Sequence, residues 1–527
     1  MKRRVTVAGL AIAAIAALAI IVPQCSRAAG PENIRQAGVA GAFYPADPNA
    51  LTAMMDDMLS RATPPQITDP ILAVVAPHAG YPYSGPVAAY TYAALKGRKY
   101  SRVVVIAPSH YEAFDFTSVF DGDAYATPLG NIAVDKTFAR QLAKMDPSIK
   151  LSSRGHTPTS QGAEHAIEVE LPWLQHVLGS FQLVPIVMGD QSYESSRALG
   201  MALSRMIHGS DTLILASSDL SHYHAYDEAV AEDHKTLTAL QEWDYLSMSR
   251  NFEMRVWEAC GGAPIVAAMI AAERMGATQA ELLKYANSGD TTGDHSRVVG
   301  YSAVLLLKSQ NQKSVEQPFS LSAHDKDELL KLARKSVEEA VRTRKPYGVV
   351  ASSSSTLNQE RGAFVTLKKA GQLRGCIGYT SASKPLNMTV RDTATLAALR
   401  DSRFPPVRAS ELGLMDYEIS VLSPMRRVTD VKQIKVGQDG LLMKNGEYEG
   451  LLLPQVPTEE GWDRQKFLEE TCNKAGMQTN CWKDENTDIF MFTAVVFGDS
   501  KPLTPEPSMS PALPLRPGQP APNSPQR

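Results

Sequence analysis

Cysteine is scarce in this chain, with five in 527 residues: Cys25, Cys260, Cys376, Cys472 and Cys481. A disulfide-held scaffold needs a far higher density, so the fold must rest on hydrophobic cores. In an oxidising compartment Cys472 and Cys481, which enclose eight residues, are the expected pair. Charge of one sign is scarce as well. The formal net charge is −3, and beyond the N-terminus there is no long basic run, which leaves no electrostatic footprint for nucleic acid. Internal repeats are absent, and neither CxxC nor HExxH occurs, so no local metal motif is present. After the N-terminus no apolar run is long enough to span a bilayer.

The N-terminus itself is different. Lys2, Arg3 and Arg4 precede an apolar run from Val5 to Val22, and Ser26-Arg27-Ala28 offers small residues for cleavage after Ala28. Basic residues followed by an apolar stretch are the layout of a secretory signal. The run is also long enough for an uncleaved membrane anchor. Residues 1–28 are therefore expected to be a signal peptide or anchor, and the chain to be exported to the periplasm or the extracellular space. Val-Pro-Gln before Cys25 is a poor match to a lipoprotein box, so acylation there is not expected.

A length of 527 residues implies two or three domains. Short β-branched and leucine-rich runs at 71–76, 102–107, 183–187 and 213–216 lack polar alternation, as strands buried on both faces do. Helical patterns at 163–178 and 197–207 lie between them, and 298–307 reads as the closing strand. The expectation is an α/β domain over 29–308, with a central, largely parallel sheet flanked by helices. A polar linker over 309–320 follows, and then a mixed α/β domain over 321–498. The latter opens with a helix at 325–341 that Ser322 is placed to cap. From Asp499 the last 29 residues hold nine prolines and almost no large apolar groups, the composition of a disordered tail.

Chemistry is expected where strands end. The run at 71–76 leads into Pro77-His78, that at 102–107 into Pro108-Ser109-His110, and that at 213–216 into Ser217-Ser218-Asp219-Leu220-Ser221-His222. Sites of open α/β sheets form at the carboxyl ends of strands, so three such histidines would share one crevice. Any one histidine there reads equally as a cap or a hydrogen-bonding group; three after three strands are harder to dismiss. Cys260 stands just before an apolar helix at 265–275, where the helix dipole would lower its pKa. The bland alternative is a small buried hydrophobe. The polar segment Asn287–Asp294 reads as a loop that either lines the pocket or simply turns the chain.

These residues carry a resemblance. PHAGYPYSG at 77–85, PSH at 108–110, TPLG at 127–130, EHAIEVELPWLQ at 164–175, SSDLSHY at 217–223, CGGAPI at 260–265 and NSGDTTGD at 287–294 resemble the Memo family, similar in fold to class III extradiol dioxygenases. The resemblance implies that His78, His110 and Cys260 are metal ligands, and that His222, with Asp219 near it, falls where the dioxygenases keep an acid/base histidine. The thiolate takes the place of the dioxygenase carboxylate, which puts simple ring cleavage in doubt. His165 is a further pocket candidate or else a structural cap. LRGCIG at 373–378, DSRFPPV at 401–407, EISVLSP at 418–424 and LLLPQV at 451–456 resemble the AMMECR family. There Cys376, two residues after Arg374, is either a thiol activated by that cation or a small residue in a tight, glycine-flanked turn.

Proteins similar to these two occur together with a radical-SAM partner in the AmmeMemoRadiSam system. The resemblance thus implies a metal-dependent, dioxygenase-like oxidoreductase with one transition metal ion, iron or copper before zinc. Its substrate would be a small molecule or peptide, and a radical-SAM protein its partner. Nucleic acid is not expected, and membrane contact only through an uncleaved N-terminal anchor. The alternative is a non-catalytic protein that holds a peptide or metal in the same crevice.

Overall fold

The computed structural model describes residues 33–309, 319–348 and 352–499. The expected signal or anchor, most of the linker and all but the first residue of the tail lie outside the described residues. Among the described residues no helix is long and apolar enough to cross a membrane.

The first module is built on a nine-stranded sheet. At its centre Ile71–Ala76, Thr212–Ser217, Arg102–Pro108 and Gln182–Met188 run parallel, in that spatial order. Their side chains are almost wholly buried on both faces, which is why they show no polar alternation. Alternate residues serve opposite cores: Val104 and Ile106 pack on one face, Val103 and Val105 on the other. On one flank Val298–Leu307 runs antiparallel to Ile71–Ala76, and on the other Thr117–Val119 runs antiparallel to Gln182–Met188. Val298–Leu307 does not close the sheet, because Gln279–Asn287 and His222–His224 both pair with it.

Helices cover both faces. Tyr81–Leu95 packs into one core, and Tyr193–Met206 and Gly262–Arg274 into the other. The last two approach so closely at Gly200 that a Cβ there would stand 2.8 Å from Ile270 and 2.9 Å from the Ala267 carbonyl.

Two local expectations need correction. The helix expected over 163–178 forms only as Glu170–Leu178. Ahead of it residues 166–169 form turns, while the carboxylates of Glu164 and Glu168 accept backbone amides of His165, Ala166, Gly38 and Val39. The polar segment at 287–294 is not a plain loop. Asn287 ends a strand and caps a short helix, Ser288–Thr292, through its side chain and a capping box with Asp290.

The second module is a seven-stranded antiparallel sheet. The helix Ala323–Thr343 lies over it, with Ser322 as its cap and Asp325 completing a capping box. Leu329, Ala333 and Val337 form its buried stripe. Cys472 and Cys481 are joined by a disulfide, as expected. The modules also share apolar packing: Phe490, Phe492, Leu442 and Met425 belong to the same core as Tyr245, Leu246 and Met248.

Candidate metal centre

The parallel strands deliver their histidines to one crevice. His78 follows Ile71–Ala76 and is 1% exposed. Its Nδ1 lies 2.8 Å from Ser217 Oγ, at the end of the neighbouring strand, and its backbone amide donates to Asp219 Oδ1 at 2.9 Å. His110 follows Arg102–Pro108, with Nδ1 2.9 Å from Glu164 Oε1 and its amide donating to Glu164 Oε2 at 2.6 Å. Both rings thus have Nδ1 engaged, which leaves Nε2 as the free ligand atom.

Cys260 stands at the entry to the helix Gly262–Arg274. Its Sγ is 3.2 Å from His78 Nε2 and accepts the Asp219 amide at 3.2 Å. The ligand atoms of His78, His110 and Cys260 all lie within 4.8 Å of one another. A first-row ion holds imidazole nitrogen at about 2.1 Å and thiolate sulfur at about 2.3 Å, so such atoms span at most about 4.4 Å. The donor chemistry suits one transition metal ion; the Cys260–His78 pair, at 3.2 Å, lies inside that span, and the whole set lies within 4.8 Å.

Electrostatics follow burial. Burial lowers the pKa of His78 well below the ordinary imidazole value, and His110, His165 and His222 add to the effect. Burial also pulls His110 down, but the hydrogen bond and charge of Glu164 outweigh it and hold that ring above its ordinary value. Burial pushes the Cys260 thiol up, and Asp219 pushes it further. This reverses the expectation of a thiol activated by the helix dipole, because desolvation outweighs the free amides. Asp219, itself buried, is raised to about 7.

His222 lies on the short strand His222–His224, its Nδ1 held by the Leu220 carbonyl at 2.8 Å. With Cys260 it lines a cavity of about 610 Å³. Asp219 hydrogen-bonds the backbone of His78 and Ala79, and the Leu220 carbonyl holds the His222 ring. His165 lies beside the two imidazoles. Its ring stacks on His110 at 4.7 Å, meets His78 edge-on at 5.4 Å, and leaves a buried Nδ1 with no hydrogen-bond partner. Burial lowers its pKa to about 4.

Cys376 belongs to the other module, on the strand Gln372–Tyr379 and not in a loop. It pairs with Thr366, whose hydroxyl donates to its sulfur at 3.2 Å. Arg374 does not activate it, because that guanidinium is engaged by Glu411; burial raises the thiol.

Sequence reasoning missed Glu164 and Ser217 as the groups that orient the two imidazoles. The signal was there, since each sits inside a quoted motif beside a histidine. Glu168 was missed as well. Fully buried, it holds Arg35, the amides of Gly38 and Val39, and the Tyr44 hydroxyl, and so fixes the segment that carries Phe43 against His165.

A sheet with a parallel centre, whose strand ends bring two imidazoles to a thiol at a helix entry, defines an α/β protein with a candidate mononuclear metal site, on the extradiol dioxygenase-like fold. The family model described as "Memo-like protein" matches residues 35–305, and that described as "AMMECR1" matches 330–497. A MEMO1 family protein of Methanopyrus kandleri is 37% identical over 285 residues, covering 52% of this chain and 99% of the relative. One from Nitrosopumilus maritimus is 34% identical over 280 residues, covering 52% and 100%. The chain belongs to the Memo-like protein family and carries an AMMECR1 domain after it. A crystal structure of an uncharacterized protein from Pyrococcus horikoshii shares 39% identity, covering 35% of this chain and 96% of that one, with a TM-score of 0.34.

Proposed function

We propose that His78, His110 and Cys260 hold one transition metal ion, and that the chain is a metal-dependent oxidoreductase of the dioxygenase-like class. The observation that carries this reading is the convergence of two oriented imidazoles and one thiol at three strand and helix ends. Three protein ligands leave coordination positions open, as catalytic sites do, and a redox-active ion there would supply one-electron chemistry. Imidazole and thiolate donors suit iron, copper and zinc, and ligand type alone does not choose among them.

In this reading His222 is the proton-transfer group. It faces the cavity, burial lowers its pKa so that the ring is neutral near pH 7, and its Nδ1 is fixed, which leaves Nε2 to take a proton from a bound substrate. His165, whose neutral ring stacks on His110, is a further residue of the substrate site in this reading. The substrate is a small molecule or peptide, and the work belongs to an AmmeMemoRadiSam-type system with a radical-SAM partner. Export is part of the proposal, and the Cys472–Cys481 disulfide supports it, because such bonds persist in oxidising compartments.

Metal analysis of the purified chain tests the reading. Wild type should retain about one ion, and alanine at His78, His110 or Cys260 should sharply lower occupancy. His222→Ala should keep the ion and lose any oxygen-consuming turnover. Undiminished metal in the triple variant would overturn the assignment. A reporter active only outside the cytoplasm, fused to the first 35 residues, should be active; silence with the fusion present would refute export.

A further inference from the structure

The second module lies against one wall of the cavity. Residues 250–260 form that wall: Phe252, Trp257 and Cys260 line the cavity with His222. From behind, the second module grips the same residues. Trp257, 4% exposed, donates its Nε1–H to Glu360 Oε2 at 2.9 Å. Asn251, fully buried, donates from Nδ2 to the Ala382 carbonyl at 3.0 Å. Arg250 donates to Thr380 Oγ1 at 2.6 Å and pairs with Glu449. Glu360 is itself held from the first module by Lys235 at 3.1 Å.

The wall cannot shift without moving the thiol. The amides of Val256 and Trp257 both fold back onto the Asn251 carbonyl, so these residues form one tight turn. Phe252 is packed against Gly262 so closely that a Cβ there would stand 2.6 Å from the ring. On the other side of Cys260, a Cβ on Gly261 would stand 2.3 Å from the Ser217 carbonyl. A displacement at Trp257 therefore reaches Cys260 three residues on, between fixed neighbours. The helix that begins beside Cys260 is fastened at its far end too, where Arg274 donates to Asp488 of the second module at 2.8 Å.

We infer that the AMMECR1 domain is a positioning element for the metal crevice: Glu360, with Thr380 and Ala382, holds the 250–260 wall so that the Cys260 thiol faces His78 and His110. The inference rests on the metal reading above, and Glu360 is a positioning residue because it touches neither ligand atoms nor cavity.

The test uses the full chain and cobalt(II) alone, with the thiolate-to-cobalt absorption band as readout. Glu360→Ala should weaken cobalt binding about tenfold, the low end for loss of a group that orients metal ligands, and should change the band. Glu360→Gln keeps an acceptor for the indole N–H and should restore most of the affinity and the band shape. Thr380→Val removes only the hydroxyl that receives Arg250 and should weaken binding by a smaller factor; it serves if Glu360→Ala does not fold. His110→Ala in the same titration separates the two readings. If it binds cobalt like wild type, the metal assignment fails. If it loses cobalt while folded Glu360 and Thr380 variants bind and absorb like wild type, the positioning role of the second module is overturned and the metal site stands.

Discussion

Replacing Glu164 with glutamine removes one oxygen from a side chain that holds His110 at two points. Oε1 faces the ring Nδ1 at 2.9 Å and Oε2 accepts the His110 amide at 2.6 Å. Oε1 also accepts the amides of His165 and Ala166. Glutamine has one acceptor for these donors, and its NH₂ must face either the ring or the amide. Glu164 is buried, with a side chain 4% exposed, so water does not repair the loss. The negative charge that raises the basicity of His110 goes as well. Loss of a partner to a ligating histidine costs about 10–100-fold in metal affinity, or about 1.4–2.7 kcal/mol. Competition between the full chain and a chromogenic chelator for cobalt(II) would measure it, with circular dichroism to confirm an intact fold. Equal affinity in a folded Glu164→Gln variant would refute the claim that this carboxylate orients and charges the site.

Burial pushes the Glu170 carboxyl up to about 8, against hydrogen bonds from Tyr92 and Ser217, so it is protonated near neutrality. Its folded pKa lies above its ordinary value of 4.5. The contribution of Glu170 to stability is therefore fully present below about pH 4.5 and is lost as pH climbs through 8. Glu170→Gln mimics the protonated form, so its thermal midpoint should gain on wild type across that window; a pH-independent difference would count against a buried neutral carboxyl. For the disulfide, a sequence separation of 9 gives about 2.6 kcal/mol from loop closure. The double variant Cys472→Ala/Cys481→Ala should lower the melting midpoint of the second module by roughly 5–10 °C in calorimetry. An unchanged midpoint would show that the bond constrains nothing.

What could be read from the sequence was what is local. Four parallel strands announced themselves because burial on both faces leaves unbroken apolar runs, and the residues just past those runs proved to be the ones at the crevice. Cys260, some 180 residues from His78, stood out at the start of an apolar helix and took its ligand role from the family motif, and the structure brings the two within 3.2 Å. What was not legible depends on side chains that answer a distant backbone. Glu164 and Glu168 fall within the helix expected over 163–178, yet they serve His110 and the amides near Gly38, segments whose approach no periodicity reveals. The acidity of Cys260 failed for a related reason. A helix N-terminus is visible in sequence, but the depth of burial that opposes it is not. The grip of the second module on Trp257 belongs to the same class, since 103 residues separate Trp257 from Glu360.

The charges of the crevice point to how an ion would be received. Burial drives His78, His165 and His222 towards neutral imidazole and Cys260 towards neutral thiol. Glu164 and His110 are the exception. Burial would raise Glu164, but its hydrogen bonds and charge contacts with His110 hold it at about 2, and His110 is raised in turn. A divalent cation that binds through both Nε2 atoms and the sulfur must displace the thiol proton, together with whatever proton the raised His110 ring carries. The thiolate and the Glu164 carboxylate then balance the two positive charges, and the buried crevice stays near neutral, which lowers the desolvation cost. Titration calorimetry with cobalt(II) in buffers of different ionisation enthalpy counts those protons. About one proton per ion should be released at pH 8, with more as pH falls and His110 gains its own. In Cys260→Ala the release at pH 8 should vanish along with most of the binding. Release of no proton from wild type at pH 8, with binding intact, would mean that the sulfur is not a ligand and that the imidazoles hold the ion without it.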